Sequence, residues 1–346
     1  MKKIRFGKTE LLVSQIAFGG IPVMRVPKAE AVTLIRETID LGINFIDTAN
    51  GYADSEEKIG AAIKGIEREK LVIASKSTAD DKKTFNEHLD LSLKRLGVDY
   101  IDIYQLHHVS SETRCNAVFA PGGALEGLQE AIAAGKVRFP AFSSHNIPTA
   151  IKVMKSGKFD AVQIPFNYID FEAEEEIIPL ANKLDMGFIA MKPMGGGLLS
   201  DAGLSFRYLM QYDSIIPDPG IERIEEIREI IAIVEKGEPL SAQDWKEIEK
   251  LRAEFGPSWC HRCDYCKPCP QDIPMSMVLL ARSMVKRFSP ERALSMVGTN
   301  IDKARSCVEC GACITRCPYN LEIPRLMKES IEFWDGLMKT GSPQNT

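Results

Sequence analysis

Several features are missing from this sequence of 346 residues. No apolar run is long enough to span a bilayer, and no apolar signal core follows the basic stretch 1–6. The net charge at pH 7 is only −5 and the pI is near 5.7, so the chain carries no excess of positive charge for nucleic acid or polyanions. We therefore expect a cytoplasmic protein that binds neither nucleic acid nor a membrane.

Cysteine is nearly confined to two short runs near the C-terminus, which contain eight of the nine cysteines. The runs are Cys260, Cys263, Cys266 and Cys269, and Cys307, Cys310, Cys313 and Cys317. Proline follows the last cysteine of each run. The second run matches the bacterial ferredoxin pattern, and the first is one residue shorter before its last cysteine. Zinc is the alternative ligand for paired Cys-x2-Cys motifs. The two runs predict two [4Fe-4S] clusters held by all eight cysteines.

The pairing of the runs has two readings. In two-cluster ferredoxins, the fourth cysteine of each run ligates the other cluster. One cluster would then take the first three cysteines of the first run with Cys317, and the other would take the first three of the second run with Cys269. Alternatively, the short first run closes its own site. Met275–Arg287, between the runs, has an apolar helical pattern, so we expect a helical dicluster module.

The sequence before residue 240 alternates short β-branched apolar runs with amphipathic helical patterns. Eight such units predict a (β/α)8 barrel over residues 1–240. A doubly wound sheet is the alternative, but no G-x-G-x-x-G follows the first strand. A connecting helix is expected over 241–257 and the cluster domain over 258–346. The predicted strands are Gln15–Phe18, Asn44–Asp47, Leu71–Lys76, Asp102–His107, Val137–Ser143, Ala161–Pro165, Gly187–Lys192 and Ser214–Pro217.

Four residues at the ends of three predicted strands have complementary chemistry. Tyr52 could donate a proton to a carbonyl oxygen, and Lys76 would lower the high pKa of its phenol. Asp47 would hold Lys76 charged, and His107 would hydrogen-bond the carbonyl oxygen. Taken singly, each residue has an ordinary alternative, such as a structural ion pair or a core histidine.

The motifs around these residues resemble the aldo-keto reductase family. They are Asp-Thr-Ala-Asn-Gly-Tyr at 47–52, Ser-Glu at 55–56, Ser-Lys at 75–76 and Gln-Leu-His at 105–107. The resemblance, over about residues 4–240, implies a (β/α)8 barrel, an Asp-Tyr-Lys-His tetrad and a nicotinamide cofactor. With the cysteine-rich region, the chain resembles the iron–sulfur subgroup of that family.

The resemblance also implies positions for NADPH or NADH. Ser143, Ser144 and Gln163 would bind the nicotinamide carboxamide, and Met191 stands where many members stack a Tyr on the ring. The glycines at 195–197 would approach the pyrophosphate, and Arg223 could bind a 2′-phosphate. The cofactor-binding candidates are therefore Ser143, Ser144, Gln163, Met191, Gly195, Gly196, Gly197 and Arg223.

Asp218 stands where NADPH-using members often have Lys, and its carboxylate would repel a 2′-phosphate. The choice between NADPH and NADH therefore stays open. Cys115, after the fourth predicted strand, is either a local thiol or a ligand or nucleophile.

Two functions are consistent with the sequence. The first is an aldo-keto reductase-type NAD(P)H-dependent oxidoreductase that acts on a small-molecule carbonyl or alcohol substrate. The second is an electron-transfer protein, whose clusters pass single electrons between a redox partner protein or flavin and a substrate in the barrel. No flavin motif is obvious, and hydride transfer moves two electrons whereas a [4Fe-4S] cluster accepts one.

Overall fold

A computed structural model describes residues 1–263, 265–288 and 290–340. The chain forms two compact units, Met1–Gly195 with Leu199–Leu240, and Gly196–Leu198 with Ser241–Thr346. Asp264, Ser289 and residues 341–346 of the predicted cluster domain lie outside the described residues. The domain boundaries after 240 and 257 stay predictions.

Eight parallel strands form the sheet of the first unit, and each is hydrogen-bonded to the next strand along the chain. Three of the strands, Val72–Ser77, Ile101–Leu106 and Ala161–Pro165, are buried at every residue, as is typical of a parallel sheet that is covered on both faces. The strands are β3 Phe18–Gly19, β4 Phe45–Asp47, β5 Val72–Ser77, β6 Ile101–Leu106, β7 Val137–Ser143, β8 Ala161–Pro165, β9 Gly187–Met191 and β10 Ile215–Asp218.

Backbone hydrogen bonds join the first and last strands of this sheet. Ala17 N donates to Pro217 O at 2.9 Å, and Gly19 N donates to Pro219 O at 2.8 Å. The sheet is thereby nearly closed into a barrel, with helices around it, and the predicted (β/α)8 fold is confirmed. The first strand is displaced, because β3 covers Phe18–Gly19 where Gln15–Phe18 was predicted.

An N-terminal hairpin, which the sequence patterns did not indicate, contributes to the barrel core. Strands β1 Lys3–Arg5 and β2 Leu12–Ser14 pair antiparallel. The buried Phe6, Leu11 and Val13 belong to the same core cluster as residues of the seven strands β4 to β10 and Ala17, which directly precedes β3. Phe6 packs where a Cβ at Gly187 would stand, so only glycine fits at the start of β9.

The helices of the first unit follow the strands as a barrel requires. Helix α4, after β6, was not predicted and contains the buried Cys115. The helices are α1 Lys28–Asp40, α2 Ser55–Ile63, α3 Lys82–Leu96, α4 Glu112–Phe119, α5 Ala124–Ala133, α6 Ile147–Lys155, α7 Ile177–Lys183, α8 Ala202–Leu209 and α9 Ile224–Lys236.

The second unit is helical, as the predicted dicluster module requires. Its apolar core includes Val278, Val297 and Trp334. The predicted helix Met275–Arg287 is divided at Leu280. The helices are α10 Ala242–Phe255, α11 Met275–Leu279, α12 Ala281–Arg287, α13 Pro290–Ala304, α14 Ala312–Thr315 and α15 Ile323–Thr340. Within the described residues, no helix has the length and apolarity to cross a membrane.

The hairpin gives a test of the barrel core. Phe6→Ala should lower the free energy of unfolding by about 3–5 kcal/mol, because Phe6 is only 1% exposed and its removal leaves a cavity. Leu12→Ala on the same hairpin is the matched control. Leu12 is 61% exposed, so its truncation should change stability by less than about 0.5 kcal/mol. Urea unfolding followed by far-ultraviolet circular dichroism measures both, and equal midpoints for the two variants would contradict this account of the core.

Candidate active site

The four predicted catalytic residues lie at one end of the barrel. Asp47 ends β4, Lys76 lies in β5 and His107 directly follows β6. Tyr52 follows in the turn after β4, where its N–H donates to Ala49 O at 2.9 Å. Because the carboxyl ends of parallel strands share one edge, these residues converge on the barrel mouth.

Asp47 and Lys76 form a buried ion pair. Their side chains are 4% and 1% exposed, and Lys76 Nζ donates to the Asp47 carboxylate and to Thr48 O. Burial alone would lower the pKa of Lys76, but the opposite charge of Asp47 raises it above its ordinary value. Lys76 is therefore an ammonium ion at neutral pH.

Tyr52 stands between this ion pair and His107. Lys76 Nζ is 5.3 Å from the centre of the Tyr52 ring, and the Tyr52 and His107 ring centres are 5.9 Å apart. Burial and the neighbouring His108 and Lys76 hold the pKa of His107 well below its ordinary value. His107 is therefore a neutral imidazole at neutral pH, beside a tyrosine that has a cation near its ring.

Asp218, at the end of β10, lies next to the ion pair and interacts with Asp47. Burial, and then the charge of Asp47, raise the pKa of Asp218 well above its ordinary value. Gln163 Nε2 donates to Asp218 Oδ2 at 3.0 Å and lies 3.5 Å from Asp47 Oδ2. The Asp218 carboxyl is thus turned into the barrel, and its raised pKa favours the uncharged form, which would not repel a 2′-phosphate.

Two carboxamide ligands implied by the resemblance have groups available for a cofactor. Gln163 Oε1 is buried and has no hydrogen-bond partner among the described residues. Since Asp218 engages Nε2 of the same amide, Gln163 can present this oxygen as an acceptor. Ser143 Oγ accepts from His108 N at 3.0 Å, which leaves its O–H as a donor. A primary carboxamide, with one acceptor and two donor hydrogens, fits this pair.

The other implied cofactor residues differ in their surroundings. Ser144 Oγ lies 3.2 Å from Asn146 O and accepts from Asn146 N at 3.1 Å, in a turn before α6. Met191 ends β9 and is half-buried. Arg223 is exposed and pairs with Glu226 of its own helix at 3.1 Å. Gly195, Gly196 and Gly197 have φ of 59°, 71° and 89°, a left-handed backbone that favours glycine. Their cofactor roles stay predictions.

The eight clustered cysteines line two cavities of the second unit. Cys269, Cys307, Cys310 and Cys313 line the first, and Cys260, Cys263 and Cys317 line the second, while Cys266 borders both. All of these thiols are free of disulfides. Each cavity therefore brings together cysteines from both runs and has the thiol-rich lining that an iron–sulfur cluster requires.

The sequence analysis assigned no role to several polar residues around the tetrad. Gln105 Nε2 donates to Asp47 Oδ1 at 3.3 Å, and its inward position could have been read from the alternation of β6 toward His107. His108, His145 and Lys192 follow β6, β7 and β9 at the mouth. The sequence analysis gave these three residues no role, because only the folded barrel brings the three strand ends together.

Two family models match the chain. The model of the aldo/keto reductase family matches residues 15–205. The chain belongs to the aldo/keto reductase family. A 4Fe-4S dicluster domain matches residues 259–322, so this aldo/keto reductase carries a C-terminal iron–sulfur domain.

Curated relatives of this aldo/keto reductase are oxidoreductases. The uncharacterized oxidoreductase YqkF of Bacillus subtilis (strain 168) is 30% identical over 219 residues, which cover 59% of this chain and 68% of YqkF. The NADH-specific methylglyoxal reductase of Escherichia coli (strain K12) is 28% identical over 230 residues, covering 58% of this chain and 69% of that enzyme. The predicted aldo-keto reductase-type NAD(P)H-dependent oxidoreductase is confirmed at the level of the family.

Solved structures share the barrel fold. The aldo-keto reductase AKR11C1 from Bacillus halodurans, holo form, has a TM-score of 0.62 and 24% identity, covering 72% of this chain and 96% of AKR11C1. An aldo-keto reductase from Klebsiella pneumoniae in complex with NADPH has a TM-score of 0.60 and 21% identity, covering 72% and 95%.

The neutral state of Asp218 can be tested through stability. The pKa of Asp218 is higher in the folded protein than in the unfolded chain, where it is about 3.9. Above about pH 3.9 Asp218 therefore destabilises the fold, and this destabilisation grows until the pH reaches the folded-state pKa. Asp218→Asn removes this penalty. The free energy of unfolding of Asp218→Asn relative to the wild type should therefore be more favourable at about pH 9 than at about pH 6.

Asp47→Asn is the matched comparison, because it makes the same chemical change in the carboxylate that neighbours Asp218 in the folded barrel. It should lower the free energy of unfolding by about 3–5 kcal/mol near neutral pH, because buried Lys76 loses its counter-charge. Denaturant unfolding across this pH range measures both variants. If Asp218→Asn were as destabilising as Asp47→Asn at every pH, Asp218 would have to be ionised in the folded protein.

Proposed function

We propose that this protein reduces an aldehyde or ketone, or oxidises the corresponding alcohol, with Tyr52 as the general acid or base. The observation that carries the proposal is the buried Asp47–Lys76 pair beside the Tyr52 ring, with a neutral His107 on the other side. This arrangement provides one proton donor and one neutral hydrogen-bonding group at the same mouth.

Of the Tyr52 and His107 rings, Tyr52 is the better proton donor. A tyrosine has an ordinary pKa near 10, which is too high for efficient proton transfer at neutral pH. The Lys76 ammonium stabilises the phenolate that forms after Tyr52 gives up its proton. His107, whose pKa is held low, is already deprotonated and can only orient the carbonyl oxygen by a hydrogen bond.

Asp47 keeps the lysine in its charged form. Its carboxylate accepts from Lys76 and from Gln105, so the ion pair is fixed before substrate arrives. Thr48 O holds Lys76 Nζ from a second direction at 2.7 Å. The cation therefore does not have to reorganise when the tyrosine becomes negative.

A nicotinamide cofactor, when bound, supplies or accepts the hydride in this reaction. We propose that Gln163 and Ser143 bind its carboxamide, and that Met191 packs against the ring with weaker stacking than a tyrosine would give. The E. coli relative is NADH-specific, and the K. pneumoniae enzyme of the same fold was solved with NADPH. Both cofactors are therefore carried as candidates. Ser144, the glycines at 195–197 and Arg223 are further candidate contacts.

We further propose that the second unit holds two [4Fe-4S] clusters with crossed ligands. The cavity linings support Cys260, Cys263, Cys266 and Cys317 for one cluster and Cys269, Cys307, Cys310 and Cys313 for the other. Cysteine thiolates are the usual protein ligands of such clusters. A redox partner protein and a cytoplasmic location remain predictions.

Tyr52→Phe tests the proton donor. It should lower kcat/KM for carbonyl reduction by about 100- to 10,000-fold, because the hydroxyl that gives the proton is lost. Tyr100→Phe is the matched control. Tyr100 lies just before β6, at the other end of the barrel, and the variant keeps the ring that packs 4.2 Å from the Arg68 guanidinium. Its activity should match the wild type.

Two further readouts interpret the Tyr52→Phe result. Cofactor affinity, measured by fluorescence titration, and dye reduction by dithionite-reduced clusters should both survive the change. Unaltered carbonyl reduction in Tyr52→Phe would remove this residue from the mechanism and favour the electron-transfer alternative.

Serine substitutions test the crossed ligation. Replacing Cys307, Cys310 and Cys313 together should remove one cluster and leave the other. In that background, Cys317→Ser should abolish the remaining cluster, while Cys269→Ser should leave it intact. Iron and sulfide content and the electron paramagnetic resonance of the reduced protein measure both. The opposite result would mean that the first run closes its own site with Cys269.

A further inference from the structure

The two cysteine runs belong to two halves of an internal repeat. A residue with left-handed backbone directly precedes the second cysteine of each run, namely Arg262 with φ of 61° and Glu309 with φ of 51°. Another lies three residues after the last cysteine of each run, namely Asp272 with φ of 51° and Asn320 with φ of 52°. The N–H groups of Asp272 and Asn320 donate to the carbonyl oxygen of the last cysteine of their run, at 2.9 Å and 3.1 Å. The same backbone turns therefore recur around both sets of thiols.

The repeat extends to the linings of the two cavities. Ile273 and Met275, in the stretch after the first run, line the first cavity. Leu321 and Ile323, at the same distances along the chain after the second run, line the second cavity. Each cavity thus combines three cysteines of one run with the end of the other run, which agrees with the proposed crossed ligation. Because the two halves correspond, a position at which they differ distinguishes one proposed cluster from the other.

Two corresponding positions give the cavities different walls. In the second cavity they hold His261 and Tyr319, whose half-buried rings stack with centres 3.7 Å apart and planes inclined by 14°. In the first cavity the same two positions hold Val308 and Gln271, and both of these residues are exposed. Val308 is 62% exposed. Stacked rings therefore form part of the wall of the second cavity, whereas exposed residues form the matching part of the first.

The cysteines show the same difference between the cavities. Cys310 of the first cavity is exposed, while Cys263, at the matching position of the second cavity, is half-buried. Cys269 of the first cavity is half-buried, while its counterpart Cys317 in the second is only 9% exposed. Among the eight clustered cysteines, all of which the structure describes, no matching pair shows the opposite order. The first cavity therefore has the more accessible thiols.

A salt bridge connects the exposed segment around Cys310 to a helix of the domain. Lys328 Nζ, on α15, lies 2.6 Å from Glu309 Oε1, and both side chains are exposed. Met327, next to Lys328, is buried and lines the first cavity. The pair therefore joins the exposed segment to the helix that lines the cavity, and its opposite charges balance each other.

Solvent exposure decides which cluster an external carrier can reach. Electron transfer weakens steeply as the distance between donor and acceptor grows, so a carrier exchanges electrons where a ligand cysteine reaches the surface. Water also stabilises the additional negative charge of a reduced cluster, and solvent exposure is one of the factors that set cluster potentials. Both effects favour the first cavity as the place of exchange.

We propose that Cys310 and Val308 form the site at which the iron–sulfur domain exchanges electrons with a one-electron carrier outside the chain. One electron passes between the carrier and the cluster of the first cavity, so that one is oxidised as the other is reduced. Cys266 borders both cavities and so connects this site to the second cluster. The inference rests on the proposed clusters, and it adds which of them meets the carrier.

Charge changes at Val308 test the site, because an added charge attracts or repels a charged oxidant. Dithionite-reduced protein, freed of excess reductant, is oxidised in a stopped-flow instrument by hexaammineruthenium(III), a trication, or by tris(oxalato)cobaltate(III), a trianion. Each oxidant accepts one electron. Val308→Glu should speed oxidation by the cation and slow oxidation by the anion, each by about threefold at an ionic strength of about 0.1 M. Val308→Lys should reverse both effects, and salt at about 1 M should remove them.

Met338 provides the matched control in the same domain. It is 55% exposed and lies about 15 Å along α15 from Lys328. Met338→Glu and Met338→Lys should change each rate by less than about 1.5-fold, because the added charge is screened over that distance. Gln271→Glu and Gln271→Lys should give the same signs as the Val308 variants, and they serve in place of a Val308 variant that loses its iron. Equal effects at Val308 and Met338, or none at Val308 and Gln271, would overturn the exchange site.

Limited oxidation of the wild type identifies the accessible cluster without any substitution. Ferricyanide takes one electron from a [4Fe-4S]2+ cluster, and the [4Fe-4S]3+ form releases Fe2+ to leave [3Fe-4S]+. Iodoacetamide then alkylates the cysteine that has lost its iron, and mass spectrometry locates it. Cys310 should be labelled before Cys263 and the other cysteines of the second cavity.

Iron and sulfide analysis of the starting protein separates the two sources of failure. Iron for one cluster or none would reject the proposed pair of clusters. Two clusters with Cys263 labelled first would reject only the exchange site at Cys310.

Discussion

The buried ion pair of Asp47 and Lys76 is the interaction on which the rest of the barrel mouth depends. Removing either charge from water costs several kcal/mol, and their attraction offsets this only when the geometry is fixed. The parallel ladder of β4 and β5 supplies that geometry, since Asp47 is paired with Ala74, two residues before Lys76. A lysine held charged in this way can act on Tyr52, whereas a lysine without its carboxylate would lose its proton on burial. The fold therefore holds Lys76 charged and in position for the proposed chemistry before any ligand binds.

The neutrality of Asp218 follows from the same constraint. The interior already holds one cation and one anion in Lys76 and Asp47, and a second carboxylate beside Asp47 would be repelled by it. A protonated Asp218 adds hydrogen bonding without charge. Because Asp218 accepts from Gln163 Nε2, Gln163 Oε1 is left without a hydrogen-bond partner among the described residues. The network that charges Lys76 thus also orients the proposed cofactor ligand, and substitutions at Asp218 and Gln163 are expected to be non-additive.

The sequence predicted the features that depend on short patterns along the chain. The alternation of strand and helix patterns predicted the barrel, and the positions of Asp47, Lys76 and His107 at the predicted strand ends placed them at one end of it. The hairpin β1–β2 was missed because three-residue strands give too short an alternation, and α4 because its apolar spacing is weak. The direction of the Asp218 side chain depends on the register between β10 and its neighbours, which no local pattern encodes. His108 and Lys192 adopt left-handed backbone without the glycine that would have signalled it.

An iron–sulfur cluster and a hydride-transfer site transfer different numbers of electrons in one step. Hydride transfer moves an electron pair in one step, while a [4Fe-4S] cluster takes one electron, so direct exchange between the two requires a group that can hold one electron and then pass it on. In the proposed function, the Asp-Tyr-Lys-His set moves protons and stabilises charge, and none of its side chains is suited to hold a single electron. The proposed hydride transfer is therefore complete in its electron count without the clusters, and the clusters would take part only through a substrate or partner that accepts single electrons. This physical distinction makes the barrel and the iron–sulfur domain separable in experiment, even though one chain carries both.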